Sequence, residues 1–235
     1  MATAILYELQ GLQDRRYSQF SWRTRLALAH KSVAVAYRPM RVSDKGAIAF
    51  SGQDKVPILI DEAGTAIADS WRIAEHLESR YSEQPSLFGG QAGRAFARFI
   101  NNWTDRTLVP MAASMLMADV AECVDPEDAT HLRTQMEKAF GKPLEDLRGG
   151  RDVHVKEFRR ALDPARSSLK IQQFLSGAAP AYPDYILFSL FQWARIVSTF
   201  DLIDAGDLAL VGWRARMLDL FDGLARREPA RTPDR

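Results

Sequence analysis

The strongest chemical signal in this sequence lies at Asp69 and Ser70, two polar residues that directly follow a predicted β-hairpin. Both residue types are preferred at helix N-caps. The free N–H groups and partial positive charge of a helix start bind anions. At the other end of the hairpin Val56 precedes Pro57, and a proline at the first residue of a strand marks its boundary. If their peptide bond is cis, it makes a tight turn that presents the Val56 backbone outward. The segment therefore predicts an extended backbone edge beside a carboxylate-binding helix end.

The elements that must position these groups follow from local patterns. In the hairpin, strands are predicted over Ile58 to Asp61 and Thr65 to Ala68, with Gly64 in the turn. The other predicted elements are a strand over Ala4 to Leu9, a helix over Gln19 to Lys31, a strand over Val33 to Val42, a short piece over Gly46 to Ser51 and a helix over Trp71 to Tyr81. This order predicts an α/β domain with a four-stranded mixed sheet and helices on both faces.

Residues 82–93 are rich in Pro, Gly, Ser and Gln, and predict a linker between a first domain at 1–81 and a second at 94–235. Every pattern after the linker is helical. Pro110 is expected to kink or end one helix, and Asp125-Pro126 is expected to start the next. Asp163-Pro164 is a point at which a continuous helix can be interrupted. The polar tail from Glu228 to Arg235 is predicted to fray.

Three segments resemble the cytosolic glutathione transferases, and more narrowly their bacterial and fungal β-etherase-like branch. The first is the hairpin and cap, with Val56-Pro57, Leu59, Asp61, Asp69-Ser70, Ile73 and His76-Leu77 in the family's spacing. The other two are SQFSWRTRLALAHK at Ser18 to Lys31 and PAYPDYILFSLFQWAR at Pro180 to Arg195. The resemblance implies a thioredoxin-like, glutathione-binding domain followed by an all-α helical-bundle domain.

Composition restricts the alternatives. Lys and Arg number 31 against 30 Asp and Glu, so no overall basic field favours nucleic acid or an anionic membrane as a partner. The single cysteine, Cys123, excludes an intramolecular disulfide, and no Cys/His cluster has metal-ligand spacing. No apolar run approaches the ~18 residues of a membrane span. The sequence therefore predicts a cytoplasmic protein without a metal.

The resemblance implies that Ser18 contacts the glutathione thiol. A thiol-activating site must favour the thiolate, which is the nucleophile, and a hydroxyl donor at a helix N-terminus does so. Gln19 replaces the proline that is usual in the family. The alternative role of Ser18 is that of an N-cap only, and Ser21, Tyr7 and Tyr17 are the alternative donors. Tyr7 lies within the first strand, where core packing is its expected role.

For the remainder of glutathione, the resemblance assigns Val56 and Pro57 to the cysteinyl unit, and Asp69 with Ser70 to the γ-glutamyl end. Strand edges pair with extended peptides through main-chain hydrogen bonds, which agrees with the first assignment. The glycyl carboxylate needs a cation. Lys55 is the predicted one and Gln53 a polar helper, with Lys45 and Arg41 as alternatives.

Several other polar residues have a less specific sequence context. Arg23 and Arg25 either stabilise the thiolate or form salt bridges. Cys123 is expected to be a buried hydrophobe, and Asp184 to order a helix start. His30, His76, His131 and His154 share no motif and are assigned no role.

The second substrate is expected in a pocket between the domains. Candidate wall residues, of which two or three are expected to face a ligand, are Trp103, Met111, Met115, Met117, Tyr185, Phe188 and Trp193. The resulting hypothesis is a homodimeric glutathione S-transferase that attacks a small hydrophobic, aromatic electrophile, with β-aryl ether cleavage as the specific reaction. The rival hypotheses are a non-catalytic binding module and a glutathione-dependent isomerase or peroxidase.

Overall fold

Four strands form one mixed sheet in the computed structural model, which describes residues 3–231. The strands are β1 (Ala4–Leu9), β2 (Val35–Met40), β3 (Ile58–Ile60) and β4 (Ala66–Ala68), in the order β2-β1-β3-β4. β1 is parallel to β2 and antiparallel to β3, which pairs antiparallel with β4. The predicted four-stranded mixed sheet is confirmed. Pro57 directly precedes the inner strand β3, so the bend before it lies at one end of the sheet.

Two helices belong to this sheet. α1 (Gln19–His30) and α2 (Ser70–Arg80) pack against each other, and α2 also contacts β3 and β4. Both helices were predicted to within one residue at each end. Their starts carry side-chain caps at Ser18 and Asp69, as residues preferred at N-caps predict.

The remainder of the chain is helical, as expected. Its helices are α3 (Gln91–Trp103), α4 (Val109–Ala121), α5 (Pro126–Phe140), α6 (Leu144–Gly149), α7 (Arg151–Ala161), α8 (Asp163–Leu169), α9 (Tyr182–Val197) and α10 (Leu208–Gly223). α5 begins at Pro126 and α8 at Asp163, so both Asp-Pro pairs lie at helix starts. α3 begins inside the predicted linker, whose Leu87 and Phe88 are buried.

A single π-helical turn, Thr104–Leu108, joins α3 to α4. Pro110 was expected to kink or end the helix. It lies in the first turn of α4, and the hydrogen-bonding pattern changes from π to α just before it. Such turns often occur at functional sites. Asp105 lies in this turn and pairs with an arginine of α1. The irregular turn therefore places an acidic side chain at the boundary between the two halves of the molecule.

One hydrophobic core connects the sheet domain with the helices. It includes Leu6, Trp22 and Leu77 from the first part and Phe158 and Trp213 from the second. α1 and α3 both pack on α9, which is buried along nearly its whole length. The elements that line the cleft between the two parts are therefore fixed by shared packing.

The prediction of a frayed polar tail is wrong at Glu228, which is buried. Its carboxylate accepts the backbone N–H of Arg16 at 2.6 Å and pairs with Arg25 at 3.1 Å. Buried charges persist when they are paired, and these two partners supply the compensation. Residues 232–235 lie outside the described residues.

Candidate functional site

The start of α2 is the centre of the candidate site. Asp69 caps the helix, and its Oδ1 accepts the N–H groups of Trp71 and Arg72, both at 3.1 Å. Its φ of 77° with a ψ of 127° is a backbone conformation that residues with a side chain rarely adopt. The Asp69 side chain is exposed. An exposed carboxylate at a helix start can accept from a ligand ammonium while the cap remains in place.

Ser70 is the first residue of α2 and is buried. Its carbonyl accepts the hydroxyl of Tyr182 at 2.8 Å, which ties the start of α2 to the start of α9. Burial raises the pKa of Tyr182, so this hydroxyl keeps its proton. The helix domain therefore fixes the position of the Asp69-Ser70 corner.

Two cavities meet at Asp69. The first, of about 320 Å³, lies between α1, α2 and α3 and is called the interdomain cavity here. It is lined by Phe20, Arg23, Asp69, Ser70, Trp71, Arg72, Glu75, Arg98, Asn101 and Asp105. The second, of about 420 Å³, lies beside β4 and is lined by Ser51, Gln53, Ala66, Ile67, Ala68, Asp69 and Arg72. The structure therefore brings Gln53, Asp69 and Ser70 around one continuous corner.

Val56 and Pro57 are joined by a cis peptide bond, the form in which the turn was expected to present the Val56 backbone. Val56 is half-buried, and within residues 3–231 no hydrogen bond reaches its backbone groups. Ladder pairing begins two residues later, at Ile58. The Val56 backbone is therefore available to an extended peptide.

The basic candidates for a glycyl carboxylate differ in their surroundings. Lys55 is exposed. Arg41 instead pairs with Asp125 of the helix domain at 3.3 Å, and Lys45 lines a separate cavity beside α5. Neither Lys55 nor the Val56-Pro57 pair lines the two cavities at Asp69.

Ser18 caps α1. Its Oγ accepts the N–H of Ser21 at 3.3 Å, and no acceptor among the described residues takes the Ser18 hydroxyl proton. A hydroxyl that accepts from a helix N–H still has one O–H to donate. Ser21 is more deeply buried, and its Oγ has no hydrogen-bond partner within residues 3–231. Ser18 does not line either cavity at Asp69, and both serines remain candidates for the thiol contact.

The two tyrosine alternatives lie in packed surroundings. Tyr7 contacts the ring of Phe50, with 5.4 Å between ring centroids, and packs on a small cluster that includes Ile58. Tyr17 is buried, and burial with the nearby charge of Asp128 raises its pKa. Packing therefore accounts for Tyr7, whereas the buried Tyr17 hydroxyl has no hydrogen-bond partner within residues 3–231 and remains a candidate donor.

Arg23 forms the salt bridge that was one of its two predicted roles. Its guanidinium is 1% exposed and pairs with Asp105 at 2.6 Å. It also donates to Asn101 at 3.0 Å and to Ser189 at 3.3 Å. These contacts join α1 to α3 and α9, so Arg23 forms part of the wall of the interdomain cavity.

Arg25 belongs to a buried ionic cluster beneath the sheet. It pairs with Glu8 at 2.8 Å and with Glu228 at 3.1 Å, and its guanidinium lies over the Tyr37 ring. Burial raises the pKa of Glu8, although Arg25 and Arg16 pull it down. Within the described chain Arg25 therefore has the structural role of the two roles predicted.

Four of the seven candidate wall residues are core residues, which agrees with the expectation that only two or three of them face a ligand. Met115, Tyr185, Phe188 and Trp193 are buried in the common core. Trp103, Met111 and Met117 are half-buried, and none of the seven lines the interdomain cavity. Residues at helical spacing face the core more often than a ligand, and here the core explains their pattern.

The other polar candidates are structural in the described chain. Cys123 is buried and donates to the Val197 carbonyl at 3.3 Å, and burial raises its pKa. Asp184 accepts the Leu175 N–H at 2.7 Å and the Trp213 indole N–H at 3.0 Å, which orders the start of α9 as expected. No group of three possible metal ligands occurs within residues 3–231. In the same range no helix is both long and apolar enough to cross a membrane.

Sequence reasoning missed one side of the interdomain cavity. The missed residues with side chains on α3 and the π turn are Arg98, Asn101 and Asp105. Together with Arg94 they recur at i, i+4, i+7 and i+11, a polar stripe with helical period. This polar stripe is the sequence signal that indicates which face of α3 lines a cavity.

Both parts of the chain match models of known families. Residues 12–85 match a model described as glutathione S-transferase, N-terminal domain, and residues 95–221 match one described as glutathione S-transferase, C-terminal domain. The second match alone covers more than half of the chain.

An individual protein with a similar sequence is also described as glutathione S-transferase-like. The chain is 28% identical over 144 residues to the glutathione S-transferase-like protein ustS of Aspergillus flavus, which is 55% of this chain and 51% of that protein. The chain thus spans about half the length of this relative.

Solved structures share the fold over nearly the whole chain. Glutathione transferase GSTFuA2 of Phanerochaete chrysosporium is 22% identical, with a TM-score of 0.78, covering 98% of this chain and 100% of that one. CsGST63524 of Ceriporiopsis subvermispora, crystallised in complex with glutathione, is 19% identical, with a TM-score of 0.77, covering 94% and 96%.

Proposed function

The chain belongs to the glutathione S-transferase family, and from that premise we propose that it binds glutathione at the Asp69-Ser70 corner and transfers it to an aromatic electrophile. The observation that carries the proposal is Asp69. Its exposed carboxylate caps α2 and lines both cavities that meet there.

In this proposal the γ-glutamyl end lies at the start of α2. The ammonium group donates to Asp69 in a charge-assisted hydrogen bond. The adjacent carboxylate meets the partial positive charge of the helix start and the Ser70 hydroxyl. The Ser70 hydroxyl makes no hydrogen bond within residues 3–231, since Tyr182 donates to the backbone carbonyl of Ser70, so the hydroxyl is available.

The rest of the tripeptide follows the strand edge. The cysteinyl unit pairs with the free backbone groups of Val56, beside Pro57. Gln53, which lines the cavity beside β4, and the exposed Lys55 bind the glycyl carboxylate. Glutathione fits the donor set of these residues, because each of its charged ends has a partner of opposite charge or a polar donor.

We assign thiolate stabilisation to Ser18. Its Oγ already accepts a helix N–H, and its own proton has no acceptor in the described chain, so it can donate to the sulfur. The thiolate forms a C–S bond to the electrophilic carbon, and the leaving group departs with the bonding electron pair. Displacement at the β-carbon of an aryl ether remains the specific reaction proposed, because of the resemblance in α1 and α9.

We also propose that the protein is a homodimer. Phe50 is 54% exposed and Phe99 64% exposed, and an association surface would cover such rings. Light scattering at micromolar concentration should give twice the chain mass. A mass of one chain would refute the dimer and leave the proposed glutathione site untouched.

Calorimetry with glutathione tests the site. Asp69→Asn keeps the cap, because Asn is an equally good N-cap residue, and removes the charge. We expect it to weaken glutathione binding about tenfold, the loss of one charge-assisted hydrogen bond. Asp152→Asn, at an exposed acidic residue in the first turn of α7, is the matched control and should bind like the wild type. Absence of wild-type binding at millimolar glutathione would overturn the proposal.

A further inference from the structure

The loop that leads to Ser18 is fixed at Arg16. The backbone N–H of Arg16 donates to Glu228 Oε1 at 2.6 Å, and its carbonyl accepts the indole N–H of Trp22 at 2.6 Å. Within residues 3–231 the Arg16 N–H has no other acceptor. A half-buried N–H that loses its partner costs free energy, so the chain around it would move to regain one. Side chains therefore hold both backbone polar groups of a residue that lies only two positions before Ser18.

Ser18 lies between this fixed point and α1. Its carbonyl accepts the N–H of Trp22 at 3.0 Å, and its Oγ accepts the N–H of Ser21 at a long 3.3 Å. A bond of this length restrains the hydroxyl weakly, so its position also depends on the chain that enters the helix. Trp22 belongs to α1 itself. Glu228, 212 positions from Arg16, is therefore the tie between this loop and the end of the helical domain.

Glu228 is in turn held from two sides. Its Oε2 accepts from Arg25 of α1 at 3.1 Å. The guanidinium of Arg195 on α9 donates to the Glu228 carbonyl at 3.2 Å, and the Arg195 carbonyl accepts the N–H of Arg231 at 3.0 Å. Residues 224–231, which we call the C-terminal strap, are thus placed by α9 and α1 against the loop. This placement aims a buried carboxylate at the Arg16 N–H.

We propose that Glu228 is a positioning residue for the thiol contact, and that it holds Ser18 through Arg16 where its hydroxyl can meet the glutathione sulfur. This inference rests on the proposed function, since it concerns the same contact. Glu228 does not line either cavity at Asp69, so it acts through the loop. Hydrogen bonds weaken steeply with distance and misalignment, and a shift of about 1 Å in the donor is enough to lose much of one. The C-terminal strap therefore sets the pKa of the bound thiol.

The direction of the effect separates positioning from charge. Removing a nearby negative charge favours a thiolate and lowers the thiol pKa. Loss of a hydrogen bond from Ser18 to the thiolate raises it. A thiol pKa that rises when Glu228 is replaced by a neutral residue therefore cannot come from the lost charge.

Two substitutions of similar size test the proposal. Glu228→Gln and Glu228→Met both lose the charge, but only glutamine keeps an oxygen that can accept the Arg16 N–H. The pKa of bound glutathione, from the ultraviolet absorbance of its thiolate against pH, should be higher in Glu228→Met by about one unit. Equal thiol pKa values in the two variants would overturn the proposal.

Trp22→Phe keeps the test open if Glu228→Met does not fold. It removes the other bond to the Arg16 backbone without a change of charge, and it should also raise the thiol pKa. The control is Trp213→Phe, which removes an indole N–H that donates to Asp184 at 3.0 Å, away from the loop. Unchanged thiol pKa values in both tryptophan variants would count against a fixed Arg16.

The matched control for Glu228 is Glu78→Met. Glu78 likewise pairs with a buried cation, Lys31, at 2.7 Å and accepts one backbone N–H, that of Leu87, at 2.8 Å. Lys31 directly follows the last residue of α1, so this pair lies at the end of the helix opposite to Ser18. Glu78→Met should lower stability and leave the thiol pKa unchanged. An equal rise in this control would overturn the proposal, because general loosening of α1 would then explain both results.

A double variant tests whether the effect passes through Ser18. In a Ser18→Ala background the thiol pKa values of Glu228→Met and Glu228→Gln should be nearly the same, because the contact to be positioned is gone. A difference as large as in the parent protein would overturn the proposed route.

Hydrogen exchange without glutathione separates this inference from the proposed function. Peptides that cover residues 12–21 should exchange faster in Glu228→Met than in Glu228→Gln, and Glu78→Met should exchange there like the wild type. This pattern supports the hold of Glu228 on the loop even if the protein fails to bind glutathione. Equal exchange in the two Glu228 variants overturns the proposal, whatever the outcome with glutathione.

Discussion

Replacing Ser18 with alanine should have two separable effects. The first is on stability, because Ser18 Oγ accepts one N–H, from Ser21, at a long 3.3 Å. Loss of an N-cap hydrogen bond costs about 1 kcal/mol. The second is on bound glutathione, because a hydrogen bond to a charged group contributes roughly 1.5–3 kcal/mol. Since one pKa unit equals about 1.4 kcal/mol, the bound thiol pKa should rise by about one to two units.

Two assays read these effects separately. Urea unfolding gives the loss of stability, and ultraviolet absorbance of the thiolate against pH gives the bound thiol pKa. Glutathione affinity at a pH well below the thiol pKa should be nearly unchanged, because Ser18 then faces a neutral thiol. Ser21→Ala is the matched control. Its Oγ is buried without a partner, so its removal should cost little stability and leave the thiol pKa unchanged.

The opposite pattern would refute the reasoning. If Ser18→Ala loses stability but leaves the thiol pKa unchanged, Ser18 is only a cap. If the thiol pKa rises in Ser21→Ala instead, the contact belongs to Ser21. Because the two serines lie three residues apart in the same helix start, general damage to α1 would alter both variants alike.

Two further predictions concern stability. Burial and the charge of Lys31 lower the pKa of His30, so the unfolded chain binds more protons below about pH 6.5 and stability is lost as the pH falls toward the folded-state pKa. In urea unfolding, His30→Gln should therefore lose less stability between roughly pH 7.5 and 5 than the wild type or the His131→Gln control. An equal loss of stability in all three proteins would contradict this. A Cβ at Gly11 would overlap the Cys123 carbonyl oxygen, so Gly11→Ala should lower the free energy of unfolding by about 1–3 kcal/mol in the same assay. The control is Gly46→Ala, which has no atom near the added carbon and should leave the free energy of unfolding unchanged. Equal stabilities of the two variants would disprove the close contact at Gly11.

The sequence predicted the α2 corner well because its signals are local. Proline before a strand, glycine in a short turn and Asp-Ser before a helix each act within a few residues. The strands before and after Gly64 and the cap at Asp69 consequently lie where the pattern placed them.

The ionic pairs were not predictable in the same way. Arg23 and Asp105 are 82 positions apart, and no local pattern indicates which carboxylate a buried arginine meets. Tyr185 and Phe188 were counted among seven candidate wall residues, most of them expected to face the core, because periodicity identifies a buried face without saying what covers it. Only the packing of α9 against α1 and α3 shows that other helices cover it.

The buried contacts of Glu228 with Arg16 and Arg25 also bear on the order in which the protein folds, because Glu228 is synthesised long after its partners. During synthesis Glu8 and Arg25 leave the ribosome early, while the second carboxylate that neutralises Arg25 follows 203 positions later. Until then the sheet domain carries an incompletely matched buried charge, and a fragment of residues 1–81 made alone never receives it. The sheet domain therefore reaches its final charge balance only after the helices have been translated, and it should behave as a dependent part of the molecule when it is cut out for study.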